Sequence, residues 1–247
     1  MPVAGGGSVW LGDTARMRMP LTALTVLAPL AILAEIYRFV CERRGLLLVE
    51  AHWQPLAGDV GLVKPLLPMF VLVVGCLGVQ FVRRLPWRLP GGVVLVHILC
   101  WSAIWALVRY ALSITHLQLT NGLQVADGSF SKIELLAQLG LVFSGALQEE
   151  LVFRGVLLGG LLWCVRLCAR QQAWLIWLVA LPLSALAFAL YHTELIHAAG
   201  DPLTLPVVTV HGIGGLLYGL VFLRQGLAVA VLTHFGYNVL VMVAAVG

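Results

Sequence analysis

Charged residues are scarce in this sequence. Asp, Glu, Lys and Arg together supply 11% of the chain, against 61% hydrophobic residues. A water-soluble domain carries roughly 25% charged and about 45–50% apolar residues. With so little charge, 247 residues cannot cover a surface that faces water, so the surrounding medium is expected to be lipid. Cysteine is sparse too. Cys41, Cys76, Cys100, Cys164 and Cys168 are odd in number and lie within or beside apolar runs, which does not suggest a disulfide framework. Cys164 and Cys168 have no neighbouring Cys or His to complete a metal set. There is no His-Glu-x-x-His zinc helix and no Gly-x-Ser-x-Gly elbow. No internal repeat is visible, which weakens transporter folds built on inverted halves.

What is abundant is long apolar sequence. A helix that crosses a bilayer needs about 20 mostly apolar residues. Runs of that kind cover 19–40, 65–82, 92–115, 132–163, 173–191, 205–223 and 227–246. The expected fold is therefore all-α: a polytopic transmembrane helical bundle of about seven to eight membrane helices. The eighth arises if the long fourth run is two pieces meeting near Gly155 or Gly159–Gly160. Three regions are expected: a Gly-rich disordered segment 1–18, N-terminal transmembrane helices 19–131, and a core 132–247 that carries the chemistry. Arg16 and Arg18 precede the first run like a signal peptide. The run continues past Pro29 without a convincing small-residue cleavage site, so a retained anchor is expected.

The net charge of +4 comes from Arg residues in short segments between runs, where they act as topology signals and headgroup contacts. Lipid is the expected partner and nucleic acid is not. For seven spans with the N-terminus inside, the inner segments gather most of the Arg residues. The expected location is a multi-pass protein of a prokaryotic inner, plasma-type membrane.

Ionisable residues inside apolar helices are functional candidates by default, because burying them in lipid is costly. The densest group is Gln148-Glu149-Glu150-Leu151-Val152-Phe153-Arg154. On a helix, Glu150 and Arg154 share a face and neutralise one another. Glu149 points about 100° away and has no cation nearby in sequence. It is the candidate base. Two further segments carry polar groups. The fifth run ends in Phe188-Ala189-Leu190-Tyr191-His192, and the seventh contains His234-Phe235-Gly236-Tyr237-Asn238. His234 and Asn238 share one helix face and suit a developing oxyanion. Helix–helix hydrogen bonding is the alternative use of the same residues. Glu35 and Arg38 are expected to pair with each other, and Arg109 to snorkel or else to meet a substrate carboxylate. His52, His97, His116, His197 and His211 fit no motif and are expected to serve loops or packing.

In this order, on separate apolar helices, Glu149-Glu150-xxx-Arg154, Phe188-xxx-His192 and His234-xxx-Asn238 resemble the CPBP family of CAAX proteases and bacteriocin-processing enzymes. The stretch from Gly214 to Gly226 resembles the glycine-bearing helix that precedes the family's last motif. The resemblance covers 136–246; the first three runs match nothing specific. It implies a glutamic-type intramembrane protease. Glu149 would be the catalytic glutamate, with Glu150 and Arg154 its supporting pair. His192 would orient or activate the water, and His234 with Asn238 would form the oxyanion site. No cofactor is implied, although two imidazoles and a carboxylate are also a set that zinc accepts. The implied substrate is a protein or peptide with a membrane-associated terminus: a CAAX-type tail, a leader, or a C-terminal sorting signal. A proton-coupled transporter, or a non-catalytic scaffold or immunity protein, is the alternative for a chain with ionisable residues in its helices. The count of spans places His192 near the outer membrane face and His234 nearer the inner one. For both to reach Glu149, the fifth helix has to extend past His192 or the boundaries have to shift.

Overall fold

The computed structural model describes residues 15–43, 63–119, 132–168, 174, 176–196 and 200–246. Among these residues the chain is helical, with no strand beyond one isolated bridge between Thr193 and Asp201. The α-helices are α1 (Pro20–Arg43), α2 (Val63–Val82), α3 (Gly92–Leu119), α4 (Lys132–Glu150), α5 (Gly159–Cys168), α6 (Leu181–Tyr191), α7 (Leu205–Gln225) and α8 (Leu227–Val246). Two π-helical segments complete them, Leu151–Leu158 between α4 and α5, and Ile176–Ala180 ahead of α6.

The helices fall on the seven apolar runs. The long fourth run holds two α-helices, the second beginning at Gly159, with no turn between them. It continues from Lys132 to Cys168 and absorbs its irregularity as the π segment. Of the segment 1–18 only residues 15–18 are described, and Met17 there is buried in the core. Of the anticipated Glu35–Arg38 pair, the Arg38 side chain lies outside the described residues; Glu35 accepts a hydrogen bond from Ser144 Oγ at 2.9 Å.

Large apolar side chains such as Phe70, Phe81, Leu99, Leu107, Val156 and Leu178 point outward, while Gln80, Arg109, Glu150, Arg154, Thr233 and His234 are buried. That inversion is expected of a bundle in hydrocarbon, where polar side chains turn inward for partners. Gly92–His116, Leu205–Gln225 and Leu227–Ala244 are long and apolar enough to cross a membrane, and Pro20–Ile36, Met69–Val82 and Ile176–Tyr191 are shorter apolar helices. The chain is an integral membrane protein.

Helix α6 packs along α7, α8 packs along α3, and α1 lies against α4 and α2. The α6–α7 contact depends on missing side chains. A Cβ on Gly215 would sit 2.8 Å from Ala185 Cα, so no other residue permits this approach. Gly219 faces Leu181 in the same seam. Gly212 meets only Ala189 Cβ at 4.0 Å and is not required for the approach. At Gly226, between α7 and α8, φ is +92° and a Cβ would lie 2.8 Å from Arg18 Cα. This turn needs glycine both for its backbone and for the space it leaves.

Candidate active site

Glu149 and Glu150 are the last residues of α4, and the π-helical turn begins at once after them. Inserted residues of this kind widen a helix and recur at functional sites. Here the segment carries Arg154 inward, where its guanidinium is wholly buried. Arg154 Nη1 lies 3.1 Å from Glu150 Oε1, and Nη2 donates to the Gly215 carbonyl at 3.0 Å. Its guanidinium also stands 4.4 Å over the Phe188 ring and 5.3 Å from that of Tyr218. The same π segment is tied to α6 by Ser184 Oγ, which donates to the Phe153 carbonyl at 3.0 Å.

The two glutamates are placed differently. The Glu150 side chain has 0% exposure, and its Oε1 also accepts from His234 Nδ1 at 2.9 Å. The Glu149 side chain keeps 15% exposure and faces the nitrogens of two histidines. His192 Nε2 is 3.4 Å from Glu149 Oε2, and His234 Nε2 is 3.7 Å from the same oxygen. One glutamate is sealed into an Arg–Glu–His chain; the other is open.

Hydrogen bonding sets the orientation of both imidazoles. His192 Nδ1 lies 2.9 Å from the Phe188 carbonyl oxygen, an obligate acceptor, so Nδ1 carries the proton and donates it. His234 Nδ1 donates in the same way to the Glu150 carboxylate. Each ring therefore turns Nε2 toward Glu149. Ring contacts hold them there. Tyr218 stacks on His234 at 4.5 Å between centroids, and His211 stacks on His192 at 4.3 Å.

His192 meets Glu149 without any extension of its helix. The helix ends at Tyr191, and His192 is its C-terminal cap. The short apolar helix Ile176–Tyr191 rises about 24 Å at ~1.5 Å per residue, less than the ~30 Å hydrocarbon core. It ends at the depth of Glu149, which the simple count of spans missed.

These groups line one cavity of about 400 Å³ that also receives Arg109, His211, Tyr218, Tyr237 and Asn238. All six anticipated residues thus occupy one site: Glu149, His192, His234 and Asn238 line the cavity, while Glu150 and Arg154 stand behind His234. Two further residues join them, Arg109 and His211. His211 lies in α7 and not in a loop; its Nε2 is 3.2 Å from Asp201 Oδ2 and its ring packs on that of His192. Arg109 does not snorkel, being only 3% exposed and directed into the bundle. Sequence offers one late signal for each, a polar residue inside an apolar helix.

Among the described residues no group of three or more His, Cys, Asp or Glu is arranged as a metal cluster. The free thiols described, Cys76, Cys100 and Cys164, do not line the cavity.

The fold and the cavity define an integral membrane protein with a polar site sunk into an apolar bundle. Residues 131–240 match the family model described as type II CAAX prenyl endopeptidase Rce1-like. That segment is similar to this family of peptide hydrolases. No curated protein and no solved structure matches the chain. The matched segment runs from α4 to α8 and leaves α1, α2 and α3 outside it.

Proposed function

We propose that the chain is a glutamic-type intramembrane endopeptidase in which Glu149 activates a water molecule. One observation carries this reading: among the described residues Glu149 Oε2 is buried without a hydrogen-bond partner, yet it faces Nε2 of both histidines. With both Nδ1 atoms committed as donors, three acceptors converge. A buried acceptor without a donor is costly. A water molecule resolves the conflict by donating one proton to Glu149 and the other to an imidazole, which leaves its oxygen lone pairs directed at the substrate.

In the step that follows, Glu149 removes a proton from this water, and the oxygen adds to the scissile carbonyl carbon. The negative charge moves to the carbonyl oxygen. Asn238 lines the cavity, and its amide can donate to that oxyanion, while His234, whose Nδ1–H stays on Glu150, keeps its unprotonated Nε2 toward the water. Glu149 then returns its proton to the amide nitrogen as the C–N bond breaks. The products are an amine and a carboxylic acid that keeps the water's second proton, and no covalent enzyme intermediate forms. Glu150 and Arg154 touch no substrate; they fix the rotation of His234.

The family description and the apolar bundle support membrane-anchored substrates: a CAAX-type prenylated tail, a leader, or a C-terminal sorting signal. A prokaryotic inner membrane is the setting we infer. The test uses the purified full-length chain in proteoliposomes with anchored reporter peptides of these three kinds, read by mass spectrometry. Cleavage by the wild type, lost roughly 100- to 10,000-fold in Glu149→Gln and unchanged by a zinc chelator, supports the reading. Equal cleavage by both proteins contradicts it, and loss on chelation replaces the glutamic mechanism with a metal-dependent one.

A further inference from the structure

Arg109 is a buried cation with no acid paired to it among the described residues, and it lies on α3, outside the segment that matches the family. Its Nη1 donates to Ser113 Oγ and its Nη2 to the Val210 carbonyl at 3.0 Å. The guanidinium plane stands 4.4 Å from the centroid of the Tyr237 ring. These contacts engage two of the five N–H donors a guanidinium carries. Nε is buried without any partner. Among the described residues no carboxylate forms an ion pair with it. Asp201, the acid on the neighbouring loop, is 58% exposed and engaged with His211.

The site is built around the cation. A Cβ on Gly214 would lie 2.8 Å from Arg109 Nε, so glycine there makes the room that the guanidinium fills. Ser113, which receives Nη1, in turn donates to Tyr237 Oη at 3.1 Å. A charge taken out of water at a cost of several kcal/mol and held in place by neutral groups is incomplete until an anion arrives. Arg109 lines the same cavity as Glu149, His192 and His234.

We propose that Arg109 is a specificity residue that binds the free C-terminal carboxylate of the substrate. This rests on the protease reading above and sharpens it. A cavity of about 400 Å³ is at the small end of ligand pockets, roughly 300–1,000 Å³. It admits a short stretch of peptide between the cation and the base, so the bond cut lies a few residues from the terminus. A leader peptide, cut far from any C-terminus, brings no carboxylate to this cation. The inference therefore selects C-terminal tails over leaders.

The test measures binding, so that it does not depend on turnover. Full-length protein carrying Glu149→Gln, in detergent micelles, is titrated with a fluorescent apolar tetrapeptide ending in a free carboxylate and with the same peptide ending in an amide. The acid is expected to bind roughly 10- to 100-fold more tightly, the range of a charge-assisted hydrogen bond. The preference is expected to vanish when Arg109→Gln is added, with the amide bound as before. Equal binding of acid and amide, or binding of neither, overturns the proposal while leaving Glu149-dependent cleavage to stand on its own test. Equal loss of both peptides in Arg109→Gln assigns the residue to structure and also overturns it. No acid preference, together with Arg109-dependent binding of a short-chain phosphatidic acid, overturns it in favour of a lipid phosphate.

Discussion

At the scale of residues, the difference between Glu149 and Glu150 decides their roles. The two carboxylates are adjacent in sequence, yet Glu150 is sealed among Arg154 and His234 while Glu149 opens to the cavity. A buried pair broken on one side costs about 3–5 kcal/mol, because a charge is left without compensation. Glu150→Gln is therefore expected to lower the stability of the protein in micelles by that amount, measured by chemical unfolding. The paired variant Glu150→Met with Arg154→Met is expected to recover most of the stability and none of the activity, since His234 loses its acceptor. Recovery of activity in the double variant would show that the pair does not position His234. Tyr218 offers a second test. Its hydroxyl is buried without a partner, while its ring stacks on His234. Tyr218→Phe keeps the stack and removes the unsatisfied group, so stability is expected to hold or rise. A fall in the unfolding midpoint would contradict this.

At the scale of elements, the site depends on three local features: the π segment after Glu150, the early end of α6, and the glycine seam of α7. Gly215→Val is expected to push α6 away from α7 and cost roughly 1–3 kcal/mol. Because α6 carries His192, cleavage of an anchored reporter should fall with it. Gly212→Ala, whose Cβ meets only an ordinary contact, should be tolerated. Equal effects of the two substitutions would contradict the seam. The helices themselves were legible in the sequence, because apolar runs as long as a bilayer is thick are what a spanning helix requires and a water-facing fold avoids. The π segment was not. Nothing local in Leu151–Leu158 forces the extra residue into the turn. It is held by the tie from Ser184 to Phe153 and by the ion pair of Arg154, both of which need neighbouring elements. The depth of His192 escaped for a related reason: where a helix stops relative to its neighbours is set by packing and not by its own composition.

At the scale of the whole molecule, Glu149, Glu150, Arg154, His192, His234 and Asn238 could be singled out from the sequence because ionisable and amide side chains are conspicuous in a chain with 11% charge. Their convergence came from the fold, which brings α4, α6 and α8 to one cavity. Arg109 was left between snorkelling and a carboxylate contact, and His211 was given no place in the site, because each is a single polar residue in an apolar helix and its partners come from other elements: Val210 and Tyr237 for Arg109, His192 and Asp201 for His211. The site lies in an apolar bundle, so its substrates should reach it from the membrane. Reporter cleavage should depend on a lipid or apolar anchor and fall sharply for the same peptide without one; equal cleavage of the two would contradict entry from the bilayer.

The measurement that tests the central claim most directly compares cells producing the wild type with cells producing Glu149→Gln at matched abundance, with the termini of all membrane proteins read by mass spectrometry. The account predicts that one protein or one family of proteins keeps its uncut terminus in the Glu149→Gln cells, the tail differing by a few residues at the C-terminal end. If every terminus is the same in both and Glu149→Gln still replaces the wild type in a deletion strain, Glu149 is not the base of a protease and the account fails.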